Sequence, residues 1–313
     1  MMPSRKSNSK PKPDPLPRAV CEWSFEAIGT VWWIGLYEPV QDGRLQAVQQ
    51  AVTERVERFD RTYSRFRDDS LVTKIAKEAG SFTFPDDGAA LFAMYRQLYD
   101  VTNGAVTPLI GQLLADAGYD ASYSLRPGKL SAPPAWDEVM RYENGTLITE
   151  LPVLLDFGAA GKGYLVDLVA MELRAAGLER FCVDAGGDMV CFGLSKALQI
   201  GLEHPDDPSQ ITGVTQLQNG ALCGSAGNRR AWQNYHHIMN PFTLDSPQSI
   251  KAVWVAAGDA LTADGLATAL FFIDPARLLQ QFRFAYAIMY ADDTVTMSPN
   301  FHAQLFIVTR KKS

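Results

Sequence analysis

The chain has little cysteine, no long apolar run and no surplus of basic charge, and each shortage removes a class of protein. Its 4 cysteines, Cys21, Cys182, Cys191 and Cys223, form no Cys-x-x-Cys pair and have no histidine at zinc spacing. This argues against a disulfide framework or a zinc site and predicts buried free thiols. No stretch approaches the roughly 18 uninterrupted apolar residues of a membrane-spanning helix. The net charge of −6 offers no basic surface for nucleic acid, and the basic clusters near Arg5 and Arg310 are short and terminal. A phosphate-binding P-loop is missing too, because Gly158-Ala-Ala-Gly-Lys-Gly163 lacks the Gly-x-x-x-x-Gly-Lys-Ser/Thr spacing. The Ser-, Lys- and Pro-rich beginning has no apolar run of the roughly 7–15 residues that a secretory signal needs. It predicts a disordered leader over residues 1–22, and Cys21 follows no apolar run that would favour lipid attachment. A cytoplasmic location without a membrane anchor is the resulting expectation.

What is present is enough apolar material for a large core: 313 residues, 47% of them hydrophobic. That length suits one large or two intimately joined domains. Leu45, Val48, Val52, Val56 and Phe59 recur at helical spacing, as do Leu91, Met94, Leu98 and Val101, whose helix ends at Asn103-Gly104. Further helices are expected at 108–114, 163–176, 263–272 and 276–282. Strands are expected within 25–37, as a pair around Pro152 in 147–156, and at 181–183, 189–192, 198–202, 213–223, 252–256, 284–290 and 304–308. Prolines and polar residues make 118–140 a long surface excursion. Helices and strands alternate without a βαβ rhythm, so the fold class is α+β with mixed or antiparallel sheets and flanking helices.

Three stretches carry chemistry. Asp264 and Thr268 stand four apart among helix formers, which places a carboxylate and a hydroxyl on one face where they could hold a magnesium-sized cation; a plain polar stripe meets the same spacing. The turn Leu155-Asp-Phe-Gly-Ala-Ala-Gly-Lys-Gly-Tyr164 joins an apolar run to a helical pattern and could bring Lys162 and a closely approachable backbone to a phosphate-bearing ligand; taken alone it reads first as a strand-to-helix turn whose glycines ease packing. His237 titrates near neutrality and could serve as a general base, or it could be a hydrogen-bonded strand residue with His236 pointing the other way. Asp184 and Asp188 flank Gly186-Gly187 and read as a tight turn that shapes a cleft.

Taken in order, Ser64-Arg-Phe-Arg-Asp-Asp-Ser70, Thr102-Asn-Gly-Ala-Val-Thr-Pro108, Leu155–Tyr164 running on to Asp167, Val183-Asp-Ala-Gly-Gly-Asp188, and His237-Ile-Met-Asn-Pro241 followed by Ala263-Asp-Gly-Leu-Ala-Thr-Ala-Leu270 resemble the FAD:protein FMN transferases, the ApbE-type flavin transferases. The resemblance implies a single domain over residues 23–309, two intimately joined lobes of an α+β fold that binds FAD with its diphosphate beside Mg2+. Family members join FMN through phosphate to a Thr or Ser of a target flavoprotein and release AMP. It further implies that Ala159, Asp264 and Thr268 hold the metal, and that Asp264 and His237 serve catalysis. Phe66, Ala105, Val106, Thr107, Asp156, Lys162, Ile238 and Met239 would contact the cofactor, with Phe66 as an aromatic wall, Lys162 toward phosphate and Asp156 toward a ribose or adenine donor.

The chain departs from the family pattern at Asn240, where an Asp usually precedes Pro241, at Thr107, where an acidic residue is common, and at Gly158 and Gly161. Two other readings therefore remain: an FAD diphosphatase that uses water as acceptor, and a non-catalytic FAD-binding module. The run Ser225-Ala-Gly-Asn-Arg-Arg230 resembles a loop near the family's site, with no role read for it.

Overall fold

The computed structural model describes residues 17–306. Its centre is an eight-stranded sheet in the order Cys21–Ala27, Thr30–Leu36, Phe181–Ala185, Asp188–Phe192, Gly220–Ala226, Ile250–Ala257, Ala285–Tyr290 and Val295–Met297. Every neighbouring pair is antiparallel. The expected α+β class is therefore observed.

Strand side chains alternate between two buried faces, which is why these segments read as unbroken apolar runs. Val183, Val190, Cys223, Val253, Val255 and Ile288 enter the main core under the helices. Cys182, Met189, Cys191, Leu222, Trp254 and Met289 face the other way. That second face is covered by a three-stranded sheet of Leu198–His204, Asp207–Leu217 and Ala303–Leu305, which contributes Leu202 and Leu217 to the same cluster. A second small sheet joins Gly80–Thr83, Thr146–Thr149 and Met140–Glu143.

Two helices position the site. Gly161–Ala175 packs on strands Phe181–Ala185 and Asp188–Phe192, and Ala260–Ala269 packs on Gly220–Ala226 and Ile250–Ala257. They also pack on each other. Their crossing is close because Gly163 has no side chain: a Cβ there would run into the Ala260 carbonyl oxygen and Asp264 Cβ. On its other side the second helix approaches Gly88–Val101, where Gly265 leaves room for Met94 and Leu98.

Several expected boundaries move. The first helix runs from Asp42 to Tyr63, past the last periodic residue Phe59, and Thr62 and Tyr63 are still buried. Only Thr146–Thr149 is a strand within 147–156; beyond it Val153 and Asp156 donate their amides to Ile75 and Pro108 carbonyls instead of to a ladder. The single strand expected over 213–223 is two strands from different sheets, divided at Asn219-Gly220, where Gly220 has φ +97°. Of the leader expected over 1–22, residues 1–16 lie outside the described residues, while Cys21 and Glu22 already pair with Leu36 and Gly35. The cysteines are free; Cys182 and Cys191, nine apart in sequence, sit opposite each other on adjacent strands. Among the described residues no helix is long and apolar enough to cross a membrane.

Candidate active site

The segment before the Gly161–Ala175 helix is built around Asp156. Its Oδ1 accepts the Gly158 amide at 2.7 Å, closing the turn, and its Oδ2 accepts Arg65 Nε at 2.5 Å. Arg65 is 6% and Asp156 9% exposed, so this is a buried ion pair. Both Asp156 oxygens thus serve protein donors, where the sequence suggested a ligand donor for Asp156. The turn next presents Ala159, whose amide donates to the Tyr95 hydroxyl at 3.1 Å and whose carbonyl accepts Thr268 Oγ1 at 3.2 Å.

Asp264, one helical turn before Thr268, is 5% exposed, and its Oδ2 accepts the Gly163 amide at 2.8 Å. The helical spacing read from the sequence therefore brings Asp264 and Thr268 against the same neighbouring segment, Ala159 to Gly163. Burial raises the Asp264 carboxyl well above its ordinary range and the Asp188 carboxylate adds to the rise, against the Lys162 ammonium and the Gly163 amide. Lys162 pairs with the fully buried Asp188 and also donates to the Ala185 carbonyl at 3.2 Å. Burial pulls the Lys162 ammonium down, but the Asp188 and Asp264 carboxylates outweigh it and its pKa is raised. Two carboxylates thus share one ammonium, and Asp188 Oδ1 is enclosed without a partner.

This donor set fits a hard cation: one carboxylate, one hydroxyl and one carbonyl oxygen within an excess of negative charge. A bound cation would relieve the desolvation that otherwise favours protonated Asp264. Among the described residues no three His, Cys, Asp or Glu side chains converge as a metal site, so a cation here depends on neutral oxygen donors beside Asp264.

In front of these groups lies a cavity of about 400 Å³, within the range of small-molecule sites. Phe66, Ala105, Val106, Thr107, Asp156, Ala159, Lys162, His237, Ile238, Met239 and Thr268 all line it. Asp264 is the one site residue expected from the sequence that does not reach the wall; its Oδ2 is held by the Gly163 amide. Phe66 is half-buried, a cavity wall more than a core residue, with Tyr123 stacked on it at 5.1 Å, the Tyr119 edge at 5.4 Å and the Arg65 guanidinium at 4.2 Å. Thr107 lines the wall while its hydroxyl accepts the Leu109 amide at the start of a short 3-10 turn.

His237 is half-buried overall, but its Nδ1 is closed off from solvent and has no hydrogen-bond partner. Burial, with the Arg230 and His236 charges, pulls the imidazole down to about 3, so the ring is neutral. His236 turns away and its Nε2 meets the Pro247 carbonyl at 3.0 Å. Asp184 Oδ1 accepts the Gly187 amide at 2.8 Å, and Gly186 and Gly187 have φ of +64° and +102°, which makes the expected tight turn. Asn240 likewise shapes a turn, its Oδ1 accepting the Phe242 amide at 2.9 Å, and it is not among the residues lining the cavity.

Reasoning from sequence missed Arg65, Tyr119, Tyr123 and Arg230, which also line the cavity. Arg65 Nη2 is buried without a partner. The available signals were the unassigned arginines in Ser64–Ser70 and Ser225–Arg230.

An antiparallel sheet backed by two tightly crossed helices, with oxygen donors at their crossing and an aromatic-walled cavity in front, defines a small-molecule-binding α+β protein. The chain belongs to the ApbE family, whose profile matches residues 28–288. It is 27% identical over 273 residues to the FAD:protein FMN transferase of Vibrio cholerae serotype O1, covering 81% of each chain. It is 24% identical over 277 residues to the FAD:protein FMN transferase of Treponema pallidum, covering 79% of this chain and 76% of that one. The crystal structure of the ApbE protein of Thermotoga maritima superimposes with a TM-score of 0.77 at 22% identity, covering 89% of this chain and 97% of that one. At that identity the structural likeness speaks for the fold.

Proposed function

We propose that the chain is a Mg2+-dependent FAD:protein FMN transferase that joins FMN to a Thr or Ser hydroxyl of a cytosolic acceptor flavoprotein and releases AMP. The observation that carries this reading is the meeting of three features at one cavity: the Ala159 and Thr268 oxygens backed by Asp264, the aromatic wall of Phe66, and His237 on the same wall. The relatives' names support the same activity.

Asp264, Thr268 and the Ala159 carbonyl would hold the magnesium ion, which supplies positive charge to the diphosphate oxygens when bound. Phe66 offers its ring to a flat ligand. Arg65 and Arg230 bring further positive charge to the cavity wall. His237 takes the proton from the acceptor hydroxyl as that oxygen attacks the phosphorus of the FMN half. The new phosphoester bond forms while the bond between the two phosphorus centres' bridging oxygen and the FMN phosphorus breaks, and AMP leaves with that electron pair.

The test is to incubate the protein with FAD, Mg2+ and a hydroxyl-bearing acceptor flavoprotein, then weigh the acceptor and identify the nucleotides by mass spectrometry. An acceptor heavier by FMN, with AMP released, is expected. FMN and AMP formed with no labelled acceptor would make the chain an FAD diphosphatase, and intact FAD would make it a binding module.

A further inference from the structure

We infer that Asp167 is a positioning residue that sets the register of the two site helices and thereby the convergence of the cation's oxygen donors; the inference rests on the cation site proposed above. The Ala260–Ala269 helix begins with amides that have no partner inside the helix. Asp259 caps the Thr262 amide with its carboxylate at 2.7 Å and takes the Ala263 amide on its carbonyl at 3.2 Å. The other two amides are taken by the neighbouring helix: Ala260 donates to Asp167 Oδ1 at 2.9 Å and Leu261 to Oδ2 at 2.7 Å. Both oxygens of one carboxylate thus close the helix start from outside.

Asp167 lies one turn after Gly163 on the Gly161–Ala175 helix, so the two helices are tied at two levels. At one level Gly163 donates to Asp264, and at the other Asp167 accepts from Ala260 and Leu261. A third tie, from Thr268 to the Ala159 carbonyl, closes the site itself. Two of these three ties are made by candidate ligand oxygens, which change partners when a cation enters. The Asp167 tie uses no ligand atom and survives loading. Burial raises the Asp167 carboxyl to about 6 against the pull of the two amides, which leaves it ionised at neutral pH. Because Ala159 precedes one helix while Asp264 and Thr268 ride on the other, a slip between the helices separates the donors.

The experiment measures Mn2+ affinity in the presence of FAD by electron paramagnetic resonance and calorimetry, for the wild type and Asp167→Asn, with the fold checked by circular dichroism. The asparagine keeps one acceptor and loses the other. A loss of Mn2+ affinity of about 10–100-fold is expected, the usual effect of removing a group that orients metal ligands. Turnover should recover at high Mg2+ with the KM for FAD little changed. Ser298→Ala serves as a control, since Ser298 accepts the Tyr286 amide at 3.0 Å beside the edge strand Val295–Met297, bonds to neither helix, and its loss should lower stability without touching Mn2+ affinity. A folded Asp167→Asn protein with wild-type Mn2+ affinity would overturn the inference and leave the cation site standing. A wild type with no Mn2+ affinity would overturn both.

Discussion

The Gly163 amide donates to Asp264 Oδ2 over 2.8 Å at a helix crossing where a single added carbon would collide with Asp264 and with the Ala260 carbonyl. Close packing and the placement of the Asp264 carboxylate are thus one feature of the structure. Gly163→Ala should force the helices apart, costing about 1–3 kcal/mol as overpacking does. Thermal unfolding should report the loss, and a Mn2+ titration should show weakened binding. An alanine variant of unchanged stability and affinity would contradict the tight crossing.

Removing the carboxylate tests the cation site directly. Asp264→Ala should abolish FMN transfer while leaving FAD able to bind. Because burial and Asp188 raise the Asp264 carboxyl, a cation there competes with a proton. Cation affinity should therefore rise as the pH is raised and fall as Asp264 protonates. Calorimetry in buffers of different ionisation enthalpy would detect the released proton, and pH-independent binding would refute the assignment.

His237→Gln should lower kcat by about 10²–10⁴-fold, the range for losing a general base, with FAD affinity nearly retained. The ring's pKa is held down to about 3, so His237 stays neutral throughout the ordinary working range and an acid limb near neutrality must come from another group. A pH–rate profile of the wild type checks this. A steep loss of rate that follows a group of pKa near 6.5 and vanishes in His237→Gln would show that the bound diphosphate raises the imidazole.

Phe66→Ala should weaken FAD binding by about 1 kcal/mol, the scale of one aromatic pair, roughly fivefold in Kd. Flavin fluorescence titration reads this. The variant also removes the ring under Tyr123 and Arg65, so its stability should be measured alongside.

Arg65→Met leaves Asp156 as a buried carboxylate without its cation, at a cost of about 3–5 kcal/mol. The double variant Arg65→Met, Asp156→Asn should recover much of that stability, because the unpaired charge is gone. Denaturant unfolding of the two proteins decides it, and equal stability would mean that Asp156 finds another donor.

Much of this was legible in the chain. The apolar period of Val48, Val52 and Val56 identified a helix, and its length escaped only because Thr62 and Tyr63 are buried through tertiary contacts. Strands buried on both faces were visible as apolar runs, but short ones such as Val295–Met297 hold place by pairing with a neighbour and carry little signal of their own. The Asn219-Gly220 pair was a readable turn signal that the surrounding apolar residues masked, and it joins strands of different sheets.

The sequence by itself determined the α+β class, the helix that puts Asp264 and Thr268 a turn apart, and the ordered blocks that mark the ApbE family, because each depends on local period or on residue type in order. Only the tertiary structure decided whom each side chain meets. Lys162 faces Asp188, Arg65 faces Asp156 across 91 residues, and Asp167 closes a helix that begins 93 residues later. Such pairings follow from sheet order and helix crossing, which no local pattern encodes, and in a buried site they decide which charges are neutralised and which remain for a ligand.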